Sequence, residues 1–169
     1  TTLNINLNPG PYIITSTNTA TGESTSNTVI VKSNMDQNID LIKYFKNDTQ
    51  YTVRVLDEHG NPSAKQDITF NINGVLYTRT SNDKGIATLN INLNPGTYII
   101  TSTNTATGES ISNTILVKPN MDQNKNIVKY FKNDTQYSVR ALDEQGNPLA
   151  KQNVTFNING VFYTKTTND

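Results

Sequence analysis

The chain has 169 residues, with 14 Lys and Arg balanced by 14 Asp and Glu. Its formal net charge is zero, which excludes the basic excess that a nucleic-acid-binding face requires. The absence of cysteine removes disulfide staples and thiolate metal sites, and no apolar run is long enough to span a bilayer.

Charged residues are only 17% of the chain, against about a quarter in an average domain. Asn, Thr and Ser fill the gap, so the polar surface is mostly amide and hydroxyl. An internal repeat organises everything that follows. LNINLNPG at Leu3–Gly10 recurs at Leu89–Gly96, an offset of 86. Residues 1–83 align with 87–169 without a gap, and 64 of the 83 pairs are identical. The chain therefore divides into residues 1–33, the C-terminal half of one repeat; 34–118, a complete domain; and 119–169, a linker and the N-terminal half of the next. Asp169 falls inside the turn that reads Ser81–Gly85 in the middle copy. Either the chain is a piece of a longer array, or half domains complete each other between molecules.

No segment sustains a 3.6-residue period, so no long helix is expected. In chain order, Asn34–Asn38 and its counterpart Asn120–Asn124 cluster oxygen ligands of the kind Ca²⁺ takes. Only one carboxylate is common to both, and no metal or cofactor site is assigned. A strand is expected over 40–46. The turn after it, Asn47-Asp48-Thr49, matches the N-glycosylation pattern, as do Asn133-Asp134-Thr135 and Asn153-Val154-Thr155. Asn47, Asn133 and Asn153 are the candidate glycan acceptors. Over 50–57, Tyr51, Val53 and Val55 alternate with polar neighbours, the period of a half-buried strand.

The turn Asp57–Pro62 carries the single histidine, His59, beside two carboxylates. The second copy has Gln145 in its place, and no nucleophile accompanies it. Glycosidic chemistry needs two carboxyls facing across a cleft, and adjacent Asp57-Glu58 or Asp143-Glu144 do not supply that. No catalytic residue is assigned, and the chain is not expected to be an enzyme. Strands over 66–73 and 75–81 flank Asn73-Gly74, the preferred pair for a type I′ hairpin because both residues accept positive φ. Strands over 86–93, 97–104 and 111–118 follow, separated by Asn94-Pro95-Gly96 and Thr107-Gly108-Glu109. Tyr98–Thr105 presents a hydroxyl ladder, suited to a flat sugar or ice surface or to plain β-branched packing. Pro119–Asn126 lacks alternation and reads as a linker.

About seven short strands with turns roughly every 8–12 residues argue an all-β sandwich. The expected packing set is Val53, Val55, Ile68, Phe70, Leu89, Ile91, Tyr98 and Ile100. Asp57, Gly60 and Pro62, then Thr80, Gly85 and Ala87, then Leu93, Pro95, Gly96 and Tyr98, form a pattern of D-x-x-G-x-P, T-x-x-x-G-x-A and L-x-P-G-x-Y. Thr80 lies one residue further from Gly85 than that pattern has it. The pattern resembles the tandem immunoglobulin-like repeats of bacterial and archaeal surface proteins, and the Asn- and Thr-rich wording is most similar to adhesin-like proteins of methanogenic archaea.

That resemblance implies tandem immunoglobulin-like sandwiches at a cell surface or outside the cell. Relatives of this kind often carry a Lys–Asn isopeptide cross-link. In one such pattern a Lys stands where this chain has Val55 and Ala141, so that pattern is absent, while Lys43, Lys46, Lys65 and Glu109 recur in the other copy. The expected role is a structural stalk or fibre segment. The alternative is a glycan- or partner-binding adhesion module. The expected partners are neighbouring copies of the same repeat or chain, with surface glycans second and nucleic acid excluded.

Overall fold

The computed structural model describes residues 1–168; Asp169 lies outside the described residues. Fourteen strands and no helix occur among them. In order they are β1 (Gly10–Thr17), β2 (Ser24–Val31), β3 (Met35–Asp36), β4 (Leu41–Tyr44), β5 (Gln50–Val55), β6 (Asp67–Ile72) and β7 (Val75–Thr80). Then come β8 (Ile86–Asn90), β9 (Gly96–Asn104), β10 (Ser110–Lys118), β11 (Met121–Asp122), β12 (Arg140–Ala141), β13 (Asn153–Ile158) and β14 (Val161–Thr166).

Strands β3–β10 form a five-stranded sheet of order β4-β10-β9-β6-β7 and a three-stranded sheet of order β3-β5-β8. Within the larger sheet β6 runs antiparallel to β7 and β9, whereas β4 runs parallel to β10, Leu41–Tyr44 against Ile115–Lys118. Seven of these eight strands fall where alternation predicts them. The eighth, β3, lies in the Asn34–Asn38 stretch, and its counterpart β11 lies in Pro119–Asn126, both expected to be irregular. Met35 pairs with Val55 and is buried, while Asp36 pairs with Arg54, so two residues suffice to extend the ladder. The β8 strand stops at Asn90, short of the expected residue 93, because Ile91 gives its carbonyl to the Lys43 ammonium (2.8 Å).

The described chain forms two compact units. One comprises Thr1–Ile39, Thr52–Leu89 and Ile100–Ser112. It contains the β1–β2 and β6–β7 hairpins, and its core is Met35, Val53, Val55, Ile68, Phe70, Ile72, Ala87, Leu89 and Ile100. The alternating apolar residues of β5 and β8 supply one face of this core and those of β6 and β9 the other. The second unit comprises Asp40–Tyr51, Asn90–Ile99 and Asn113 onward. It buries Tyr51, Ile91, Ile115 and Val117 beside the Lys43 side chain. Burial pushes the Lys43 ammonium below its ordinary pKa, against a smaller upward pull from Asp48, and the chain carbonyls of Thr49 and Ile91 accept its hydrogen bonds.

Turn chemistry follows the sequence. Asn73 and Gly74 both take positive φ, 52° and 81°, closing β6 onto β7. Gly85 is obligatory for two reasons: φ is 74°, and a Cβ there would lie 2.6 Å from the Val55 carbonyl oxygen. That close approach lets the Gly85 carbonyl accept the Val55 N–H. Tyr98, expected in the core, is instead half-buried, because its hydroxyl reaches back to the Asn94 carbonyl (2.8 Å) and pins the Asn94-Pro95-Gly96 corner. Tyr12 makes the same bond to Asn8 in the first copy.

Candidate functional site

The features that distinguish this chain from an ordinary sandwich lie where one repeat meets the next. Two such junctions occur, and each displays a different part of the contact. At the first, Leu7, Pro9 and Val31 of the leading half repeat line a groove together with Thr107–Ile111, the tip of the β9–β10 hairpin. Glu109 at that tip accepts the backbone N–H of Asn34 (3.0 Å), tying the connecting segment to the hairpin. Ser33 braces the same segment: its hydroxyl donates to the Met35 carbonyl and accepts the Met35 N–H.

At the second junction, Tyr44 and Asn47 of the middle repeat meet the Asp143–Asn147 turn of the trailing half repeat. The Asn47 side-chain amide donates to the Glu144 carbonyl (2.8 Å). The Tyr44 ring lies against Gly146, at φ 87°, so closely that a Cβ on that glycine would overlap the ring. The Lys118 ammonium covers the same ring at 5.5 Å from its centroid. Gly60, the counterpart of Gly146, has the same backbone conformation and open space around it. The glycine is thus needed for the turn in both copies, and for close approach only where a neighbour is present.

The turn itself is held by its carboxylate. Asp57 Oδ1 accepts the backbone N–H groups of His59 (2.9 Å) and Asn61 (2.8 Å), and Asp143 repeats this with Gln145 and Asn147. These bonds, led by the one from residue 61 or 147, hold both carboxyls below the usual aspartate range. Asp57 is therefore spent on the turn, and the exposed His59 ring lies 3.9 Å from Glu58. The oxygen-rich connecting segments are likewise committed. Arg54 makes a bidentate pair with Asp36 (2.8 and 2.6 Å), and Arg140 does the same with Asp122. Both oxygens of the one carboxylate common to the two segments face a guanidinium rather than an open ligand position.

The three glycan acceptors are in different surroundings. Asn47 is half-buried at the second junction, with the nitrogen that would carry a sugar already donating to Glu144. Its Oδ1 accepts from Thr49, and Asn133 accepts from Thr135 in the same way but is exposed. Asn153 is exposed at the start of β13 and accepts the Thr166 hydroxyl. The hydroxyl ladder of β9 pairs across to β10: Thr101 with Ser112 (2.9 Å) and Thr103 with Ser110 (2.8 Å). Its outward hydroxyls bond to each other rather than standing ready for a ligand.

Tyr44, within the strand expected over 40–46, lies against the Gly146 turn. The only signal available is that Tyr44, Asn47 and the Asp-Glu-x-Gly turn are retained in both copies. No helix among the described residues is long and apolar enough to cross a membrane.

No family model matches the chain, and no curated protein matches it. Among solved structures, it is similar to a surface layer protein, SbsC, in a structure of domains 4–9, at 15% identity and a TM-score of 0.36. The alignment covers 95% of this chain and 31% of that one, so the chain spans about a third of that structure's length.

Proposed function

We propose that this chain is a segment of an extracellular or cell-surface rod, in which immunoglobulin-like sandwiches of one 86-residue repeat stand in series. The complete domain would be residues 34–118, with half repeats 1–33 and 119–169 on either side. The observation that carries this reading is the second junction. Tyr44 and Asn47 of one repeat engage the Gly146 turn of the next through residues that both copies possess. A junction built from repeated residues propagates, so length changes by adding units, as in other quasi-one-dimensional arrays. In this reading the rod holds an adhesive tip off the surface of a microbial cell, in the manner of an adhesin-like protein. Its function is spacing rather than catalysis.

The test is an array of four or more repeats imaged by electron microscopy, with small-angle scattering in solution. A constant axial step for each 86 residues supports the rod. Domains that sample all relative orientations, with no fixed step, would sink it.

A further inference from the structure

We infer that Asn73 and Asn159 are sites of spontaneous modification by deamidation, and that the side chains of Asn71 and Asn157 hold that reaction back. The inference is independent of the rod reading, since it concerns single hairpins.

The sequence locates the chemistry. Asn is abundant, but only Asn73 and Asn159 are followed by glycine. Deamidation begins when the backbone nitrogen of the next residue, having given up its proton, attacks the carbonyl carbon of the Asn side chain. A Cβ on that next residue hinders the approach, and glycine has none. Both asparagines are exposed. Each shares positive φ with its glycine, 52° and 81° in one copy and 51° and 91° in the other. A Cβ on Gly74 or on Gly160 would meet nothing within 4 Å, so both tips stand in open space on that side.

The step balances within the turn. A bond forms between the Gly74 nitrogen and Asn73 Cγ, and the Cγ–Nδ2 bond breaks. Ammonia leaves with the proton that the Gly74 nitrogen gave up, and a cyclic succinimide remains. Water then opens the ring at either carbonyl, to aspartate or to isoaspartate. Either product adds a negative charge to a chain of zero net charge. Isoaspartate also routes the main chain through the side chain, adding one carbon to a tight turn. That turn sets the β6–β7 register, with Phe70 opposite Tyr77 and Ile72 opposite Val75. Phe70 and Ile72 are buried, so a change at the tip is felt in the core.

The structure shows the brake. Gly74 lies outside the β6–β7 ladder, and its N–H donates to Asn71 Oδ1 (3.0 Å). Gly160 donates to Asn157 Oδ1 (2.9 Å) in the same way. The nitrogen that must attack is thereby engaged, by an amide oxygen too weakly basic to remove its proton. The identity of residue 71 fits this role. Asn is depleted from strands, yet it stands at an exposed position of β6, which lies between β9 and β7. Asn157 repeats it in β13. A local bond from side chain to backbone is what such a residue offers that a better strand former does not. Asn-x-Asn-Gly therefore carries both the reactive pair and its restraint.

The test holds the full chain at mildly alkaline pH and follows deamidation by peptide mass spectrometry with separation of isoaspartate. Trypsin releases the two sites in separate peptides, 66–79 and 152–165, so each is read independently. Asn71→Val removes the acceptor and puts a better strand former in its place. Loss of one hydrogen bond of ordinary net strength corresponds to about a five-fold change in rate. Asn73 should therefore deamidate about that much faster, with Asn159 in the same molecule unchanged, and Asn157→Val should reverse the pattern. Asn71→Asp keeps an acceptor oxygen and should hold Asn73 at its original slow rate. A rate at Asn73 that Asn71→Val leaves unchanged overturns the inference. So does equal acceleration at both sites, which would mark general loosening of the fold, or faster conversion in that variant at an asparagine other than Asn73.

Discussion

Phe70 and Phe156 occupy the same place in the repeat, in the same local sequence FNINGV, and differ only in what covers them. Phe70 is fully buried, whereas Phe156 is half-buried, with an edge-on contact to Tyr137 at 6.0 Å. Removing a fully packed phenyl ring costs about 3–5 kcal/mol, the lost transfer energy plus the cavity left behind. Phe70→Ala should therefore lose about that much, a large part of the ~5–15 kcal/mol that holds an average domain together. At ~4–8 °C per kcal/mol for a domain of this size, its melting temperature should fall by at least ~12 °C. Phe156→Ala forfeits one aromatic pair and partial burial, about 1 kcal/mol in dilute solution. With no tryptophan in the chain, thermal melts followed by far-ultraviolet circular dichroism are the suitable assay. Equal shifts for the two variants, or a loss below about 1 kcal/mol for Phe70→Ala, would refute the assignment of the core.

The two turn glycines make a matched pair: Gly60→Ala should carry only the strain of a positive φ, about 1 kcal/mol, while Gly146→Ala also displaces the Tyr44 ring. Faster proteolysis between residues 118 and 140 in the second variant alone would show the loosened junction, and equal rates would refute it. The Asp36 carboxyl is held below its ordinary value of 3.8, first by the Arg54 hydrogen bond and then by its charge, against desolvation. Its contribution is present above the unfolded value and is lost as pH falls through the lower folded one. Asp36→Asn should thus be less stable at neutral pH and lose less on acidification; parallel acid-unfolding curves would contradict this. When the chain is made in a host that glycosylates Asn-x-Ser/Thr, glycopeptide mass spectrometry should find lower occupancy at Asn47 than at Asn133, because Asn47 is half-buried and donates its side-chain nitrogen to the Glu144 carbonyl, whereas Asn133 is exposed.

Alternation reveals the strands of this protein because half-buried sheets impose a period of two, and the Asn73-Gly74 hairpin is legible because few residue pairs tolerate its dihedrals. What is not legible arises from contacts distant in sequence. Nothing local marks Met35-Asp36 as a strand; it forms because Val55 and Arg54 lie alongside. Ile91 is buried outside any ladder because an ammonium from 48 residues away takes its carbonyl. Tyr98 reads as a core residue by period, yet its hydroxyl needs a polar partner and draws the ring to a corner. The junction is the least legible of all, since Tyr44 and Gly146 lie 102 positions apart and their meeting depends on how repeats stack.

The parallel pairing of β4 with β10 also sets how the repeat answers to tension. These are an early and the last strand of the repeat, so a pull between its two ends enters at the start of one and leaves from the end of the other. Because they point the same way, the load drives them past each other lengthwise. Every hydrogen bond between Leu41–Tyr44 and Ile115–Lys118 is then strained together, instead of being peeled one at a time.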